Sequence, residues 1–468
     1  MNEKKRLIKN TGIIAIGNLS TKLVSFFLLP LYTALLTTGE YGTFDYILSI
    51  ATFCVPFVSV LMDESIFRFL IDCKTEIEKK KVISTCVAVV CIGMICFTFV
   101  GIPVMNSLKY NYTYYALIYI LLNVICGMIS ALLRGIGRTD QFAIFNFLLG
   151  SSQIILNVFF IAIMHLGLIG MLLASIIAQL LISVIFVFKI HIWKFISLKE
   201  IDYNLMKKMI KYSLPLIPNK VSWTIINLSD RIILMNVVGS SATGLYAVSY
   251  KFPNLMDTVY GFFYQSWKES SARVLGDKSQ NAFYNSVYKY LKNFMFALVL
   301  GMTAFMPIVF HILINESYYK AIYYVPILLM ATYFANISGF YGGIFTAYKD
   351  TKIMGTTTVA AAIINLAINL ILIRWIGIYA AAFSTLIANL AVYIYRKRKV
   401  RRYIQLNENW KSSIIAIIIA CMIFILFYSE KTVYVLLACC ISIAYALITN
   451  YEMIKNILIQ IKFKQSSK

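Results

Sequence analysis

Charged residues are scarce in this chain: Asp, Glu, Lys and Arg make up 13% of the 468 residues, whereas apolar residues make up 60%. A soluble protein of this length needs more polar side chains to cover its surface, so the composition excludes an ordinary soluble fold. Apolar runs of about 20 residues, long enough to cross a bilayer, recur from one end of the chain to the other. We therefore predict an all-α polytopic membrane protein.

The sequence also lacks the residue patterns of metal, nucleotide and redox sites. Its nine cysteines include no CxxC pair, and most of them lie inside apolar runs. The three histidines, His165, His191 and His311, lie far apart in the sequence. No GxxxxGK[ST] loop is present, so direct use of ATP is not expected. We expect no metal and no other cofactor.

Acidic residues are few as well, 20 against 43 basic residues, which gives a net charge of +23. The position of the basic residues matters more than their sum, and no nucleic-acid partner is expected. Loops rich in Lys and Arg, such as "KTEIEKKK" and "RKRKVRR", alternate with short loops that hold only Lys109, Lys320, Arg374 and Lys431. By the positive-inside rule both termini are cytoplasmic, which requires an even number of spans.

Apolar runs and helix breakers predict fourteen spans, an even number that agrees with the loop charges. The spans lie near residues 9–35, 41–69, 82–104, 113–133, 141–164, 167–188, 211–237, 243–267, 286–313, 321–347, 353–374, 377–395, 412–428 and 432–450.

Three segments recur in order at offsets of 205 to 212 residues. Residues 138–157 align with 350–369, which superposes Gln153 on Asn365, and residues 167–180 align with 377–390, which superposes Gly167 on Gly377. The third pair is "ESIFR" and "ESSAR". These matches predict two six-helix lobes related by a parallel internal repeat. The lobes are residues 1–195 and 196–402, and residues 403–468 add helices 13 and 14 and a basic cytoplasmic tail.

A few charges lie within the predicted spans, where each costs on the order of 3 kcal/mol at the bilayer centre. The deepest are Lys22, Lys220, Lys251 and Asp257. Helical spacing gives polar stripes on spans 1 and 7, made of Asn18 and Lys22 on the first and of Lys220, Asn227 and Arg231 on the second. Two lobes that face each other would bring both stripes onto one water-filled, mainly cationic cavity.

The acidic residues in the spans are interpreted separately. Asp230 is turned by about 100° from Arg231 on a helix, so its partner is expected on a neighbouring helix, such as Lys251 or Lys22. Asp257 fits either a helix-pairing role or a coupling-ion site. Asp63 and Glu64 lie near the inner end of span 2 and are open to the same two readings.

Charges near the cytoplasmic boundary have simpler explanations. Arg68, Lys289 and Lys292 are expected to pair between helices or to reach the interface. The basic run 396–402 fits topology and anionic-lipid binding, with capture of a phosphorylated lipid headgroup as the alternative. A tyrosine run on span 8 fits an interfacial belt or a sugar path (Tyr246, Tyr250, Tyr260 and Tyr264).

Three stretches together resemble a known family: "PLYTALLTTGEYGTFDY", "LPLIPNKVSWTIINLSDRIIL" and "GLYAVSYKF". The chain is similar along its whole length to the polysaccharide-transport (Wzx-type) flippases of the multidrug/oligosaccharidyl-lipid/polysaccharide (MOP) exporter superfamily. The element N-x-S-D-R with its downstream G-x-Y is the specific part of the resemblance.

The resemblance implies a transporter and not an enzyme. Such a protein moves a polyprenyl-pyrophosphate-linked oligosaccharide from the cytoplasmic to the outer leaflet of the bacterial plasma membrane by alternating access, for O-antigen, capsule or exopolysaccharide assembly. Its partners are the lipid-linked oligosaccharide, membrane lipids, and a polysaccharide polymerase with other assembly proteins, and proton or sodium coupling stays open. Basic residues of spans 1, 2, 7 and 8 line the family's cavity, which by position matches Lys22, Arg68, Lys220, Arg231 and Lys251. The deepest bases here are lysines, whereas lipid II flippases favour arginine, which disfavours a peptidoglycan precursor.

Other classes remain as alternatives. An ion-coupled multidrug or metabolite antiporter of the same superfamily would need a more acidic cavity for cationic drugs. A scaffold or polymer-synthesis subunit without transport is a third class. An integral glycosyltransferase is disfavoured because the charged loops are short and show no paired-carboxylate site.

Overall fold

The structure is a computed structural model that describes residues 26, 28–107, 112–350, 352–407, 410–429 and 431–466. Within these residues every regular element is a helix and no strand occurs. The α-helices of the described residues are α1 (Leu29–Leu35), α2 (Thr38–Val58), α3 (Met62–Asp72), α4 (Glu76–Ser107), α5 (Thr113–Gly135), α6 (Thr139–Asn157), α7 (Gly167–Ile190), α8 (Tyr203–Ser213), α9 (Leu216–Val237), α10 (Ser240–Arg273), α11 (Gln280–Leu313), α12 (Val325–Ala347), α13 (Lys352–Ile376), α14 (Ile378–Val400), α15 (Trp410–Tyr428) and α16 (Thr432–Ser466). A π-helical turn (Val158–Ile163) extends α6, and 3-10 segments cover Ile192–Phe195, Leu198–Glu200 and Glu316–Tyr324.

Eleven of the described helical segments are long and apolar enough to cross a membrane. The prediction of an all-α polytopic membrane protein is therefore confirmed, whereas the count of fourteen spans stays a prediction. Much of the first predicted span lies outside the described residues. Predicted spans 7 and 8 fall on α9 and α10, which are not among the eleven. These two long helices carry charged residues along their length, and this lowers their apolar content.

Local signals in the sequence set the helix ends. Helix α2 begins at a capping box, in which the Thr37 side chain accepts a hydrogen bond from the Glu40 backbone N–H at 3.2 Å and the Glu40 carboxylate accepts one from the Thr37 N–H at 2.9 Å. The Glu40 carboxylate also accepts a hydrogen bond from the Leu168 N–H, at 3.3 Å, in the first turn of α7. One acidic side chain thus ties the starts of two helices together.

The chain divides into two compact units, Met1–Gly244 and Leu245–Lys468. In the first unit, helices α2 to α7 pack around an apolar core, and α9 packs along α2. Residues that are almost completely buried in this core are Met62, Cys86, Ile120, Leu133, Phe145 and Phe186. The predicted lobe boundary lies between residues 195 and 196, whereas the first compact unit extends to Gly244 and includes α9. Compact packing and the repeat thus divide the chain at different places, and the lobe boundary stays a prediction.

The second unit is built around α12, which packs against α11 and α14. Its core is aromatic: the Trp267 ring stacks on Phe340 with centroids 4.4 Å apart, and the Trp267 indole N–H donates to the Phe340 carbonyl at 3.0 Å. Helices α15 and α16 pack on α11, where Lys289 pairs with Glu452 and Lys292 donates to the Ser413 hydroxyl, at 2.7 and 2.9 Å. These two lysines make the helix-to-helix contacts that the sequence suggested.

Two polar contacts match the sequence repeat. In the first unit the Gln153 amide donates to the Ser175 hydroxyl at 3.0 Å, between α6 and α7. In the second unit the Asn365 amide donates to the Thr385 hydroxyl at 3.1 Å, between α13 and α14. The aligned glycines at the start of each second helix, Gly167 and Gly377, have φ values of 53° and 54°. The aligned segments therefore form the same kind of helix pair in both units.

Candidate functional site

The second predicted span is interrupted. Helix α2 ends at Val58 and α3 begins at Met62. Between them Val60 and Leu61 have φ values of 51° and 49°, in the left-handed region that non-glycine residues rarely adopt. The Ser59 hydroxyl accepts a hydrogen bond from the Leu61 N–H at 3.1 Å, which satisfies one donor at the break. The apolar run over 41–69 predicts one continuous span, and the break at residues 59–61 corrects that prediction.

The seventh predicted span also starts later than expected. The sequence predicted a helix over 211–237, but α8 ends at Ser213 and α9 begins at Leu216. Pro215 stands at the N-cap of α9, and proline has no N–H with which to continue α8. Lys220 therefore lies in the second turn of α9, close to its start, and not deep within a long span as predicted.

The start of α9 packs against the break. Leu61 is buried against Ile217 and Val221 on α9. Lys220 is exposed on the same turn, and it attracts the carboxylate of Asp63 in the first turn of α3.

The carboxylate of Asp63 is not fully satisfied by hydrogen bonds. Oδ1 of Asp63 is buried and has no hydrogen-bond partner within the described residues, whereas Glu64 is exposed. Both carboxylates lie at the N-terminus of α3, where the helix dipole favours negative charge. A basic and an acidic group thus lie together beside the break in the second span.

The far end of α9 carries a buried ion pair. Arg231 Nε donates to Oδ2 of Asp45 on α2, and Arg231 is 9% exposed. Asp230 is also buried, at 1% exposure. The helical stripe assigned Arg231 to an open cavity face and the helix-pairing role to Asp230, whereas in the structure Arg231 pairs two helices. Helical phase could not reveal this, because it does not show which face of α9 is covered by α2.

The start of α2 meets the start of α10 without any side chain between them. A methyl group on Gly42 would overlap the Ser240 carbonyl, and one on Gly244 would overlap the Thr38 carbonyl. Small residues spaced four apart on each helix allow this approach, as in helix pairs of other membrane proteins. We call the contact of Thr38 and Gly42 with Ser240 and Gly244 the glycine seam.

The remaining predicted site residues are distributed as follows. Lys22 and Asn18 lie outside the described residues, and Asn227 lies on α9 between Lys220 and Arg231. Arg68 is exposed on α3 and pairs at 2.7 Å with Asp72, one turn further along the same helix, and not with a neighbouring helix. Lys251 and Asp257 lie half-buried on α10 in the second unit. In the first unit the structure thus brings together two groups: Asp63, Glu64 and Lys220 beside the break, and Asp45 with Arg231 farther along α2 and α9.

Arg396 is a buried residue that the sequence pattern does not identify. It begins the basic run 396–402, which is predicted to be cytoplasmic, but it is only 4% exposed. Its guanidinium donates to the Thr357 hydroxyl at 2.8 and 2.9 Å, to the Ser338 carbonyl at 3.2 Å and to the Met354 carbonyl at 3.3 Å. No carboxylate of the described residues forms an ion pair with it. Helical spacing was the available signal, because Arg396 lies 11 and 8 residues after Thr385 and Ala388, both buried on α14.

Comparison with known proteins decides the family. The family model described as "Polysaccharide biosynthesis protein" matches residues 7–267, more than half of the chain. The chain belongs to this polysaccharide biosynthesis protein family. The match includes the N-x-S-D-R element and confirms the family resemblance in the sequence. An uncharacterized membrane protein of Methanocaldococcus jannaschii is 21% identical over 418 residues, which are 83% of this chain and 96% of that protein.

Solved structures show which fold this family member has. A multidrug resistance MATE family transporter of the MOP superfamily, in an inward-facing conformation, superposes with a TM-score of 0.68 at 13% identity over 83% of this chain and 98% of its own. The lipid II flippase MurJ, in an inward closed conformation, also gives 0.68, at 14% identity over 95% of this chain and 99% of its own. This chain therefore has the MOP transporter fold, as the resemblance in its sequence implied. Its structural relatives are transporters and flippases, not enzymes.

Proposed function

We propose that this protein is a flippase that moves a polyprenyl-pyrophosphate-linked oligosaccharide from the cytoplasmic to the outer leaflet by alternating access. The supporting observation is Lys220, an exposed base without an ion pair at hydrogen-bonding distance in the described residues, on the helix whose other basic residue, Arg231, is paired with Asp45. A pyrophosphate and a membrane-embedded cation are desolvated together at lower cost than either alone.

Lys22, Lys251, Arg68 and Asn227 complete the proposed set of substrate-contacting residues, and Asn18 accompanies Lys22. Arg231 joins this set only when its pair with Asp45 separates. Asp63, whose unsatisfied oxygen can take a proton or a sodium ion, and the adjacent Glu64 are the proposed coupling acids. Asp230 and Asp257 retain their proposed helix-pairing or coupling roles.

The proposed setting is the bacterial plasma membrane, with both termini in the cytoplasm. There the flippase would supply lipid-linked units to a polymerase that builds O-antigen, capsule or exopolysaccharide. The alternative is an ion-coupled multidrug or metabolite antiporter. It is favoured by the unpaired Asp63 oxygen, which could contact a cationic substrate.

A complemented deletion strain tests the proposal. Lys22→Ala and Lys220→Ala are expected to reduce surface polysaccharide at least tenfold with unchanged protein abundance, while Lys220→Arg keeps the charge and most of the activity. Lys211→Ala, an exposed lysine on α8, is the matched control and should behave as wild type. Surface polysaccharide is measured by extraction and immunoblot, and drug susceptibility is measured in the same strains.

Two results would contradict the flippase. Normal surface polysaccharide in the deletion strain would show that polysaccharide assembly does not need this protein. Increased drug sensitivity of that strain with intact polysaccharide would favour the antiporter. The coupling ion is identified in proteoliposomes by collapsing the proton gradient and the sodium gradient separately. The gradient whose collapse stops transport is the one that drives it.

A further inference from the structure

Helices α2 and α3, which form the second predicted span, share some neighbours and differ in others. Helix α2 packs along α9, and its first turn meets the start of α10 through the glycine seam. Helix α3 packs on α8, where the Ser65 hydroxyl donates to the Met209 carbonyl at 2.9 Å. Both halves also contact α5. A rotation at the break would therefore change the α2 contacts with α9 and α10 while α3 stays on α8.

The break itself is strained. Val60 is β-branched, and a left-handed conformation forces its side chain close to the following carbonyl. Leu61 repeats the same conformation directly after it. No glycine or proline stands at either position, so this conformation must be held by its surroundings.

Packing on two sides holds the strained conformation in place. Leu61 is buried against α9, and the Val58 carbonyl fits against Gly93 of α4, where a methyl group would overlap it. Strain that is maintained by packing is typical of segments that change conformation during function. If α9 withdraws from Leu61, the residues of the break can return to ordinary helical angles.

The opposite end of α2 is fastened twice. The glycine seam joins its first turn to α10, and Asp45 pairs with the buried Arg231 of α9. Neither contact is covalent or bridged by long apolar side chains. The seam can therefore separate without leaving a large apolar cavity, and the two charges can become available to water or to an anion.

We propose that α2 is a lever, hinged at Val60 and Leu61 and latched at its outer end by the Asp45–Arg231 pair and the glycine seam. Release of the latch straightens the hinge and opens the outer side of the first unit. The proposal rests on the proposed function, because the outer side and the opening presuppose a transport cycle. It adds the moving element and the residues that hold it closed.

A disulfide across the seam tests the latch. The Cβ position of Gly39 lies 3.9 Å from Cβ of Ser240, which suits a disulfide. In a variant whose nine native cysteines are replaced, Gly39→Cys with Ser240→Cys is expected to cross-link on oxidation and to lower surface polysaccharide at least tenfold, with recovery on reduction. Each single cysteine variant is the control. Full polysaccharide in fully cross-linked cells would overturn the proposal.

Substitutions at the hinge and latch test the lever without relying on transport. Val60→Gly accepts the left-handed conformation freely, so cross-linking should become at least threefold faster. Val55→Gly, the same change within regular α2, should not accelerate it. Asp45→Asn should slow cross-linking at least threefold, and the exchange of Asp45→Arg with Arg231→Asp should restore it.

Each outcome of these substitutions supports or overturns the lever. Equal rates in wild type, Val60→Gly and Asp45→Asn would overturn it, and Val60→Asn replaces Val60→Gly if that variant is not produced. The cross-linking rate is independent of the substrate. If the deletion strain makes normal polysaccharide, the flippase proposal fails while the lever is still judged by these rates.

Discussion

Three basic residues show how burial and partners give one charge three different roles. Lys220 is exposed beside the break, Arg231 is buried and paired with a carboxylate, and Arg396 is buried among neutral oxygen atoms. Sequence spacing identified the first two as unusual, because each interrupts an apolar helix. Arg396 was missed because it begins a basic run, and only its helical phase distinguished it from the exposed residues that follow.

Arg396 is expected to be essential for the stability of the second unit. Its removal deletes the guanidinium hydrogen bonds to the Ser338 and Met354 carbonyls and to the Thr357 hydroxyl, and each group hydrogen-bonded to a charged partner contributes about 1.5–3 kcal/mol. We predict that Arg396→Ala lowers the stability of the purified protein by at least about 3 kcal/mol, which combines two or three such groups. The measurement is the thermal midpoint of the detergent-solubilised protein.

Arg398→Ala is the matched control for this prediction. Arg398 is exposed two residues along the same helix, so its loss should change stability by no more than about 0.5 kcal/mol. Arg396→Lys should be intermediate, because an ammonium group cannot reproduce the fork of donors. Equal thermal midpoints for the two alanine variants would show that the buried hydrogen bonds do not stabilise the unit.

At the level of helices, the presence of a helix was easier to predict from the sequence than an interruption within a span. The start of α9 was readable, because Pro215 marks it, although the hydropathy placed the span earlier. The break between α2 and α3 was not, because neither Val60 nor Leu61 has an intrinsic preference for the left-handed region. Packing on α9 and against Gly93 produces it, and no local pattern encodes such contacts.

The close approach of α2 and α10 depends on the absence of a side chain at Gly42. We predict that Gly42→Ala forces the two helices apart, because its methyl group meets the backbone carbonyl of Ser240 and not a side chain that could turn away. Such overpacking costs about 1–3 kcal/mol. The loss should appear as a lower thermal midpoint and as reduced surface polysaccharide.

Gly127→Ala provides the comparison on α5. A methyl group there meets no atom within 4 Å, and alanine in a helix is about 0.5–1 kcal/mol more favourable than glycine. This variant should match or exceed the wild type in stability. If Gly42→Ala were equally harmless, the seam would be looser than the structure shows.

For the whole molecule, composition alone indicated the fold class, and the repeat indicated which helix pairs of the two units resemble each other. Gln153 with Ser175 and Asn365 with Thr385 form matching contacts in the two units, as the gapless alignment suggested. The identity of the carried sugar was beyond the sequence, because no pattern of side chains encodes it. The MOP fold does not supply it either, because multidrug transporters and a lipid II flippase share that fold.

The orientation of the whole chain is predicted from its charge distribution and can be tested directly. The basic run 396–402, at the end of α14 and just after it, is expected to stay on the cytoplasmic side, because Lys and Arg resist translocation. We predict that alkaline phosphatase is inactive and a green fluorescent protein is fluorescent when fused after Lys468. Phosphatase should be active when inserted at Asn315, which begins one of the loops with little basic charge.

Replacement of basic residues supplies the control for orientation. A variant with Arg398→Gln, Lys399→Gln and Arg401→Gln removes charge from the loop without touching the buried Arg396. If loop charge determines orientation, phosphatase activity after Lys468 should rise in this variant relative to the unmodified chain. Active phosphatase at that position in the unmodified chain would place the C-terminus outside. The outer latch proposed for α2 would then face the cytoplasm, because α2 and the C-terminus are oriented by the same alternation of loops.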